Sequence, residues 1–210
     1  MIIGITGGVG SGKSEVLNIL KEDYKADIII ADQVAHELME PGAVSYNGIV
    51  EYFGKTILKE DKTIDRGILG EIVFQNPEKL QKLNQITHKN VDKEILKRIE
   101  DIQKKNPEGF IVCEAALLVG AEYESLFQQL WYIFTRENIR FERLKKSRGY
   151  SDEKIRQMIS SQKSEEEFKR QATHLIDNSG KIEDTRRQIM EILGEPMGFK
   201  CLLTHLMYEK

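Results

Sequence analysis

Residues 7–14 constrain the fold more than any other part of this chain. They read Gly-Gly-Val-Gly-Ser-Gly-Lys-Ser, follow the apolar run 2–5 and precede a helical pattern. This is the phosphate-loop spacing, Gly-x-x-x-x-Gly-Lys-Ser, in the strand–loop–helix context that it requires. The glycines let successive N–H groups turn inward, and the helix N-terminus adds a dipole that favours phosphate. A glycine-rich turn that arose by chance is the alternative, but the match in context leads us to expect a nucleoside triphosphate site.

The polar residues of the loop have expected roles. Lys13 is expected to reach the terminal phosphates, and Ser14 to offer its hydroxyl to Mg²⁺. ATP and Mg²⁺ are therefore the expected cofactors. The predicted nucleotide-binding residues of this segment are Gly7, Gly8, Gly10, Ser11, Gly12, Lys13, Ser14 and Glu15.

Composition narrows the class of protein. The 210 residues are 40% hydrophobic and 31% charged, which is typical of a folded globular chain. A net charge of −3 argues against a wholesale nucleic-acid binder. The first apolar run is too short for a signal peptide and none is long enough to span a membrane, so we expect a cytoplasmic protein. Cys113 and Cys201 lack metal-site spacing, and Cys113 reads as a buried thiol rather than a disulfide partner.

Short apolar runs alternate with helical patterns along most of the chain. The predicted strands are 2–6, 28–30, 110–113, 130–134 and 174–177, each interpreted as buried. Such alternation predicts a three-layer α/β fold with a parallel five-stranded sheet and right-handed crossovers. Ligands of such sheets lie beyond the carboxyl ends of the strands. The phosphate loop, Asp32 and Glu114 all fall at such ends, so we expect them to converge on one site.

Residues 43–106 have a different residue pattern from the alternating segments and are interpreted as a mostly helical insertion between strands. Asn76 and Pro77 resemble a helix start, and apolar residues then recur every three to five positions up to Ile102. This pattern predicts one long helix, or two helices broken near His88. The expected organisation is a nucleotide-binding core of 1–42 and 107–195, the insertion 43–106, and a tail 196–210 without assigned role.

Residues 136–170 carry an excess of positive charge. They hold eleven lysine and arginine residues against seven acidic ones, a net charge of +4. Charge runs of this kind are usually solvated helical faces. Beside a phosphate loop, a cationic helical hairpin is also expected to serve as a lid. Arg143 and Arg148 lie near its break at 148–150, and an arginine that neutralises a transferring phosphoryl group accelerates the reaction.

Three features favour a small-molecule kinase over a hydrolytic switch or a motor ATPase. The chain leaves little room for a further module. The insertion and the cationic hairpin can close over substrates and exclude water. Asp32 supplies a carboxylate that can accept the proton of a hydroxyl acceptor. Asp32 could instead be only the N-cap of the helix that follows it, and the two roles are compatible.

Several ordered segments resemble the dephospho-CoA kinase family over most of residues 1–193. The matched segments are Thr6–Ser14, Ala31-Asp32 with Pro41-Gly42, Phe53-Gly54, Asp65-Arg66, Leu69, Val73-Phe74, Leu83-Asn84, Thr87-His88, Leu117-Leu118 and Ile176–Gly180. The phosphate loop alone is shared by many families, whereas the ordered set is far more specific. The resemblance implies transfer of the ATP γ-phosphate to the ribose 3′-hydroxyl of dephospho-CoA, with Asp32 as the catalytic carboxylate.

The same resemblance implies roles for further residues. Asn178 would lie near the nucleotide base, and Glu114 could hold a Mg²⁺-bound water or be a surface acid that ends a strand. His88 and Leu117 are expected substrate contacts, although His88 could equally be a helix-packing residue. Residues 43–106 would receive the acceptor, and residues 136–170 would form the lid.

The chain departs from the family pattern at Ile30, Gly120 and Glu165, where acidic, acidic and arginine residues are common. Two alternatives therefore stay open. One is a kinase for another small nucleotide or hydroxyl acceptor, and the other is a nucleotide-binding protein that has lost catalysis. The expected partner is a small-molecule substrate, with no nucleic acid and no membrane, and the expected state is a monomer or weak homo-oligomer.

Overall fold

The structure, a computed structural model, describes residues 1–114 and 126–196. Its strands are β1 Ile2–Thr6, β2 Asp27–Ile30, β3 Ile111–Glu114, β4 Gln129–Phe134 and β5 His174–Asp177. Its helices are α1 Lys13–Tyr24, α2 Ala31–Leu38, α3 Val44–Phe53, α4 Arg66–Phe74, α5 Pro77–Lys105, α6 Glu137–Arg148, α7 Asp152–Ser160, α8 Glu165–Gln171 and α9 Ile182–Leu193, with a 3-10 turn at Lys55–Ile57.

The strands form one sheet in the order β2-β3-β1-β4-β5. β1 pairs in parallel with β3 and β4, and β4 pairs in parallel with β5. The chain thus winds to one side of β1 and then to the other, which places the loop after β1 at the centre of the carboxyl edge. The predicted parallel five-stranded sheet is confirmed.

β2 corrects one expectation. We predicted a second buried strand from its isoleucines, but only Ile29 is buried and Asp27 is exposed. The physical reason is position, because β2 is one of the two edge strands of the sheet. β5, the other edge strand, was also expected to be buried, and only its Ile176 is. β1, by contrast, is buried at all five residues and lies between two neighbours.

Contacts divide the chain into two compact units, Met1–Ile28 with Glu108–Lys210, and Ile29–Pro107. The core of the first unit is formed by fully buried side chains of β1, β3, β4, β5 and α9, among them Ile3, Ile5, Ile111, Trp131, Ile133, Ile176 and Ile189. At the β5 edge, the Gln188 side chain bonds both main-chain groups of Asp177, at 2.8 and 2.9 Å.

The second unit has a core of its own. Its buried residues are Ile49, Ile57, Ile64, Leu69 and Val73. α5 is one continuous helix of 29 residues, so the alternative of a break near His88 is wrong. Asn76 caps this helix by accepting from the N–H of Lys79 at 3.0 Å, and Pro77 occupies its first turn, as the sequence predicts.

Residues 136–170, here called the cationic segment, contain three helices where two were predicted. α6 ends at Gly149, whose φ of 61° is left-handed, and this confirms the predicted break. The additional helix, α8, begins with a capping box in which Ser164 and Glu167 bond each other's main-chain N–H groups, at 3.2 and 2.8 Å. The signal was present as Ser-x-x-Glu, the usual pattern of such boxes.

Candidate active site

The loop between β1 and α1 has the conformation of an anion cradle. Gly10 and Gly12 adopt φ values of 76° and 80°, a region that favours glycine. Gly12 is also the N-cap of α1 and offers no side chain to its first amides. The N–H groups of Glu15 and Val16 donate to the carbonyl of Gly12, at 3.0 and 3.3 Å. The amides before them have no side-chain cap, and the positive end of the helix dipole lies at this point. Ser14 and Glu15 lie exposed in this first turn.

Lys13 bends back across the loop. Its Nζ donates to the carbonyl of Gly7 at 3.0 Å and lies 3.6 Å from a carboxylate oxygen of Glu114. The side chains of Lys13 and Glu114 are only 15% and 18% exposed. The parallel register aligns Ile5 with Glu114, which brings the end of β3 beside the loop. The structure thus places together two residues that are about a hundred positions apart in the chain.

The carbonyl of Ser11 accepts hydrogen bonds that connect the loop to other parts of the first unit. It accepts from Thr135 Oγ1 and from Asn178 Nδ2, both at 2.9 Å. Arg143 Nη1 approaches the same carbonyl at 3.5 Å, while its Nη2 donates to the carbonyl of Asn178 at 2.9 Å. The Asn178 side chain is 1% exposed, and its Oδ1 accepts from Thr185 at 2.9 Å. Arg143 and Asn178 therefore support the loop from behind.

A second group of contacts holds the tip of the loop and was not anticipated from the sequence. Arg140 Nε donates to the carbonyl of Val9 at 2.9 Å, and its Nη2 donates to Gln162 Oε1 at 2.6 Å. The same Gln162 oxygen accepts from the N–H of Val9 at 3.1 Å. Burial lowers the pKa of the Arg140 guanidinium from its ordinary value, and the group stays charged. The available signal was the spacing of Arg140 and Arg143, which places both on one face of α6.

The remaining predicted residues of the first unit are more peripheral. Arg148 is exposed at the C-terminal end of α6, further along the helix than Arg143. Glu165 is exposed in the first turn of α8 and pairs with Lys169 at 2.5 Å. Leu117 and Gly120 lie outside the described residues.

Two predicted residues lie in the second unit. Asp32 is an exposed residue in the first turn of α2, and the N-cap of that helix is Ile30, without a side-chain cap. The alternative that Asp32 is a helix N-cap is therefore wrong, because the helix begins at Ala31, two residues earlier than an N-cap at Asp32 would place it. His88 is exposed on α5.

The second unit also contains a polar cavity of about 320 Å³. It is lined by His36, Met39, Glu40, Lys59, Thr63, Ile64, Asp65, Arg66 and Gly67. Arg66 bonds His36 Nδ1, whose other ring nitrogen lies 3.5 Å from Glu40. Asp65 caps α4 by accepting from the N–H groups of Gly67 and Ile68. Lys59, Arg66 and His36 are potential donors to an anionic group, and the carboxylates of Glu40 and Asp65 line the same cavity.

Across 1–114 and 126–196, no three histidine, cysteine or acidic side chains form a cluster that could hold a metal ion. None of the helices in those ranges is long and apolar enough to cross a membrane.

The parallel sheet and the phosphate loop with Lys13 in place define the class of P-loop kinases. Comparison with known proteins gives the family. The dephospho-CoA kinase (CoaE) family model matches residues 1–184. This chain belongs to the dephospho-CoA kinase family, whose members are ATP-dependent kinases that act on a hydroxyl group. The resemblance drawn from the sequence is confirmed.

Individual relatives agree with this membership. The dephospho-CoA kinase of Carboxydothermus hydrogenoformans is 44% identical over 91% of this chain and 92% of its own. Among solved structures, TT1252 from Thermus thermophilus matches with a TM-score of 0.77 at 25% identity, over 92% of this chain and 96% of its own. The dephospho-CoA kinase from Campylobacter jejuni matches with a TM-score of 0.67 at 29% identity, over 91% and 94%.

Proposed function

We propose that this chain transfers the γ-phosphate of ATP to the ribose 3′-hydroxyl of dephospho-CoA and releases CoA and ADP. The observation that carries the proposal is the phosphate loop with Lys13 across its mouth and Glu114 at 3.6 Å, in a chain of this family. The proposed ATP contacts are Gly7, Gly8, Gly10, Ser11, Gly12, Lys13, Ser14 and Glu15. Asn178 adjoins this group through Ser11 and is proposed to border the base.

Ser14 and Glu114 are the proposed holders of Mg²⁺. A hydroxyl and a carboxylate suit this ion, which takes oxygen ligands and keeps several waters and phosphate oxygens instead of a full protein cage. The absence of a three-residue metal cluster in the described part of the chain is compatible with such a site. Bound Mg²⁺ would neutralise phosphate charge.

On the acceptor side, Asp32 is proposed to accept the proton of the 3′-hydroxyl as the oxygen attacks the γ-phosphorus. Its carboxylate is exposed at the start of α2 and so is open to a ligand. The breaking bond joins the γ-phosphorus to the β–γ bridging oxygen, and ADP leaves with the electron pair. Lys13, Arg143 and Arg148 are proposed to neutralise the charge on the phosphates, which is the main contribution that proteins make to this reaction.

The second unit is proposed to bind the rest of the acceptor. Its cavity brings Lys59, Arg66 and His36 together, and these side chains fit the diphosphate of dephospho-CoA. His88 and Leu117 are proposed further contacts. The α6–α8 segment is proposed to close over the nucleotide and exclude water. We expect the enzyme to act in the cytoplasm as a monomer or weak homo-oligomer.

A coupled assay for ADP tests the proposal. We expect ADP formation that requires both dephospho-CoA and Mg²⁺. Turnover only with a nucleoside monophosphate would indicate a different acceptor. ATP binding without turnover of any acceptor would indicate that catalysis has been lost.

A further inference from the structure

The tip of the phosphate loop is held by a pair of side chains from the cationic segment. Val9 is the loop residue concerned, and both of its main-chain polar groups are bonded to side chains. Its carbonyl accepts from Arg140 Nε at 2.9 Å, and its N–H donates to Gln162 Oε1 at 3.1 Å. A third bond, from Arg140 Nη2 to Gln162 Oε1 at 2.6 Å, closes the triangle.

Gly8 leaves the space that the Arg140 and Gln162 side chains occupy beside the loop. A Cβ at Gly8 would collide with the Arg140 guanidinium and would approach Gln162 Oε1 to 2.8 Å. The loop therefore packs its main chain directly against the planar guanidinium. A side chain at Gly8 would therefore displace the ends of the Arg140 and Gln162 side chains from the positions that they take beside the loop.

We propose that Arg140 and Gln162 are positioning residues that fix the conformation of the phosphate loop through Val9. The inference rests on the proposed nucleotide site and assigns to it a support that lies outside the phosphate-loop motif of residues 7–14. Arg140 lies on α6, and Gln162 lies between α7 and α8, so the pair ties two parts of the cationic segment to the loop.

The geometry suits this role. An arginine has a rigid fork of donors, so two of its N–H groups can bond Val9 and Gln162 at once in a fixed orientation. The amide of Gln162 accepts two bonds at one oxygen without adding a negative charge near the phosphates. The partly buried Arg140 guanidinium adds positive charge beside the loop, because arginine side chains stay protonated in proteins.

The test compares Arg140→Met and Gln162→Met with matched controls, Arg170→Met and Gln157→Met, at exposed positions of α8 and α7. The dissociation constants of ADP and AMP are measured by calorimetry without acceptor. We expect ADP to bind about tenfold more weakly to Arg140→Met and to Gln162→Met than to the parent, because one partner of each lost hydrogen bond is left unpaired. AMP, which lacks the β-phosphate that the loop binds, should lose far less affinity.

The double variant tests whether the two residues act as one unit. We expect its loss of ADP affinity to be close to that of the more damaging single variant, since both act through Val9. Equal losses for ADP and AMP would show a general effect on folding and would overturn the inference. The inference would also be overturned by unchanged ADP affinity in the single variants, or by a loss of binding free energy in the double variant equal to the sum of the two single losses.

The outcomes are separable from those of the proposed function. If the parent protein phosphorylates dephospho-CoA and both Arg140→Met and Gln162→Met bind ADP normally, the positioning role alone is contradicted. If the two variants show the ADP-selective losses but the parent does not turn over dephospho-CoA, the proposed function alone is contradicted.

Discussion

At the scale of single residues, Lys13 connects three parts of the candidate site. Its ammonium bonds the carbonyl of Gly7 at the start of the loop and faces Glu114, so it is held at the place where we propose that the terminal phosphates bind. Both side chains are largely shielded from water, which strengthens their interaction with a charged ligand.

Lys13→Ala should therefore lower kcat/KM for ATP by about a hundredfold or more, in line with the loss of one charge-stabilising group. The coupled ADP assay measures the effect. Lys21→Ala, at an exposed position near the end of the same helix, is the control and should retain activity. Similar losses in both variants would mean that α1, rather than the Lys13 ammonium, is affected.

Asp32→Asn should lower kcat by roughly a hundredfold while ATP affinity is unchanged, as expected for loss of a general base. Steady-state kinetics and nucleotide titration separate the two quantities. Asp27→Asn, at an exposed position of β2, is the matched control. Near-normal kcat in Asp32→Asn would exclude the proposed proton transfer.

Cys113 gives a prediction on alkaline stability. Burial raises the pKa of its thiol from 9.0 to about 12. The folded state therefore retains a proton that the unfolded state loses, so stability from this group is full below pH 9 and falls as the pH rises toward 12. Between about pH 9 and 10.5 the free energy of unfolding should fall by up to about 1.4 kcal/mol per pH unit from this thiol.

The pH slope is measured by urea unfolding of the parent and Cys113→Ala. We expect the slope to be shallower in Cys113→Ala, with the raised pKa values of Tyr24 and Tyr132 still contributing in both proteins. Val112→Ala, which leaves a comparable hole in the same strand, should keep the parent slope. Identical slopes in all three proteins would contradict a shifted thiol.

At the scale of elements, capping residues fix where several helices begin. Asn76 caps the 29-residue helix α5 through the N–H of Lys79. Asn76→Ala should lower the free energy of unfolding by about 1 kcal/mol, because a helix amide loses its partner. Urea unfolding monitored by circular dichroism gives the value, with the exposed Gln81→Ala as control. A loss no larger than that of the control would show that water replaces the cap.

Local signals of this kind explain how far the sequence could be interpreted. The central strands were predictable because each contains a short, largely apolar run, and the break at Gly149 because glycine tolerates a left-handed φ. The start of α2 was not, since Ile30 caps it without a side-chain bond. The contact of Arg140 and Gln162 with Val9 depends on the three-dimensional path of α6–α8, which no local pattern encodes.

At the scale of the whole molecule, the two compact units suggest a division of labour. The phosphate loop and its supports belong to the first unit, and the polar cavity lined by Lys59 and Arg66 belongs to the second. We expect a nonhydrolysable ATP analogue to slow hydrogen exchange at the amides of residues 8–14. Dephospho-CoA should slow exchange in α3–α5. Protection by dephospho-CoA confined to the first unit would contradict this division.

The glutamine on α9 that bonds the end of β5 has a consequence for behaviour at high concentration. An outer strand with free main-chain groups is a template on which another chain can add a strand. At Asp177 both groups are already bonded to Gln188. A second molecule that extended the sheet there would first have to displace this side chain, and the enzyme is correspondingly protected from polymerising through that edge.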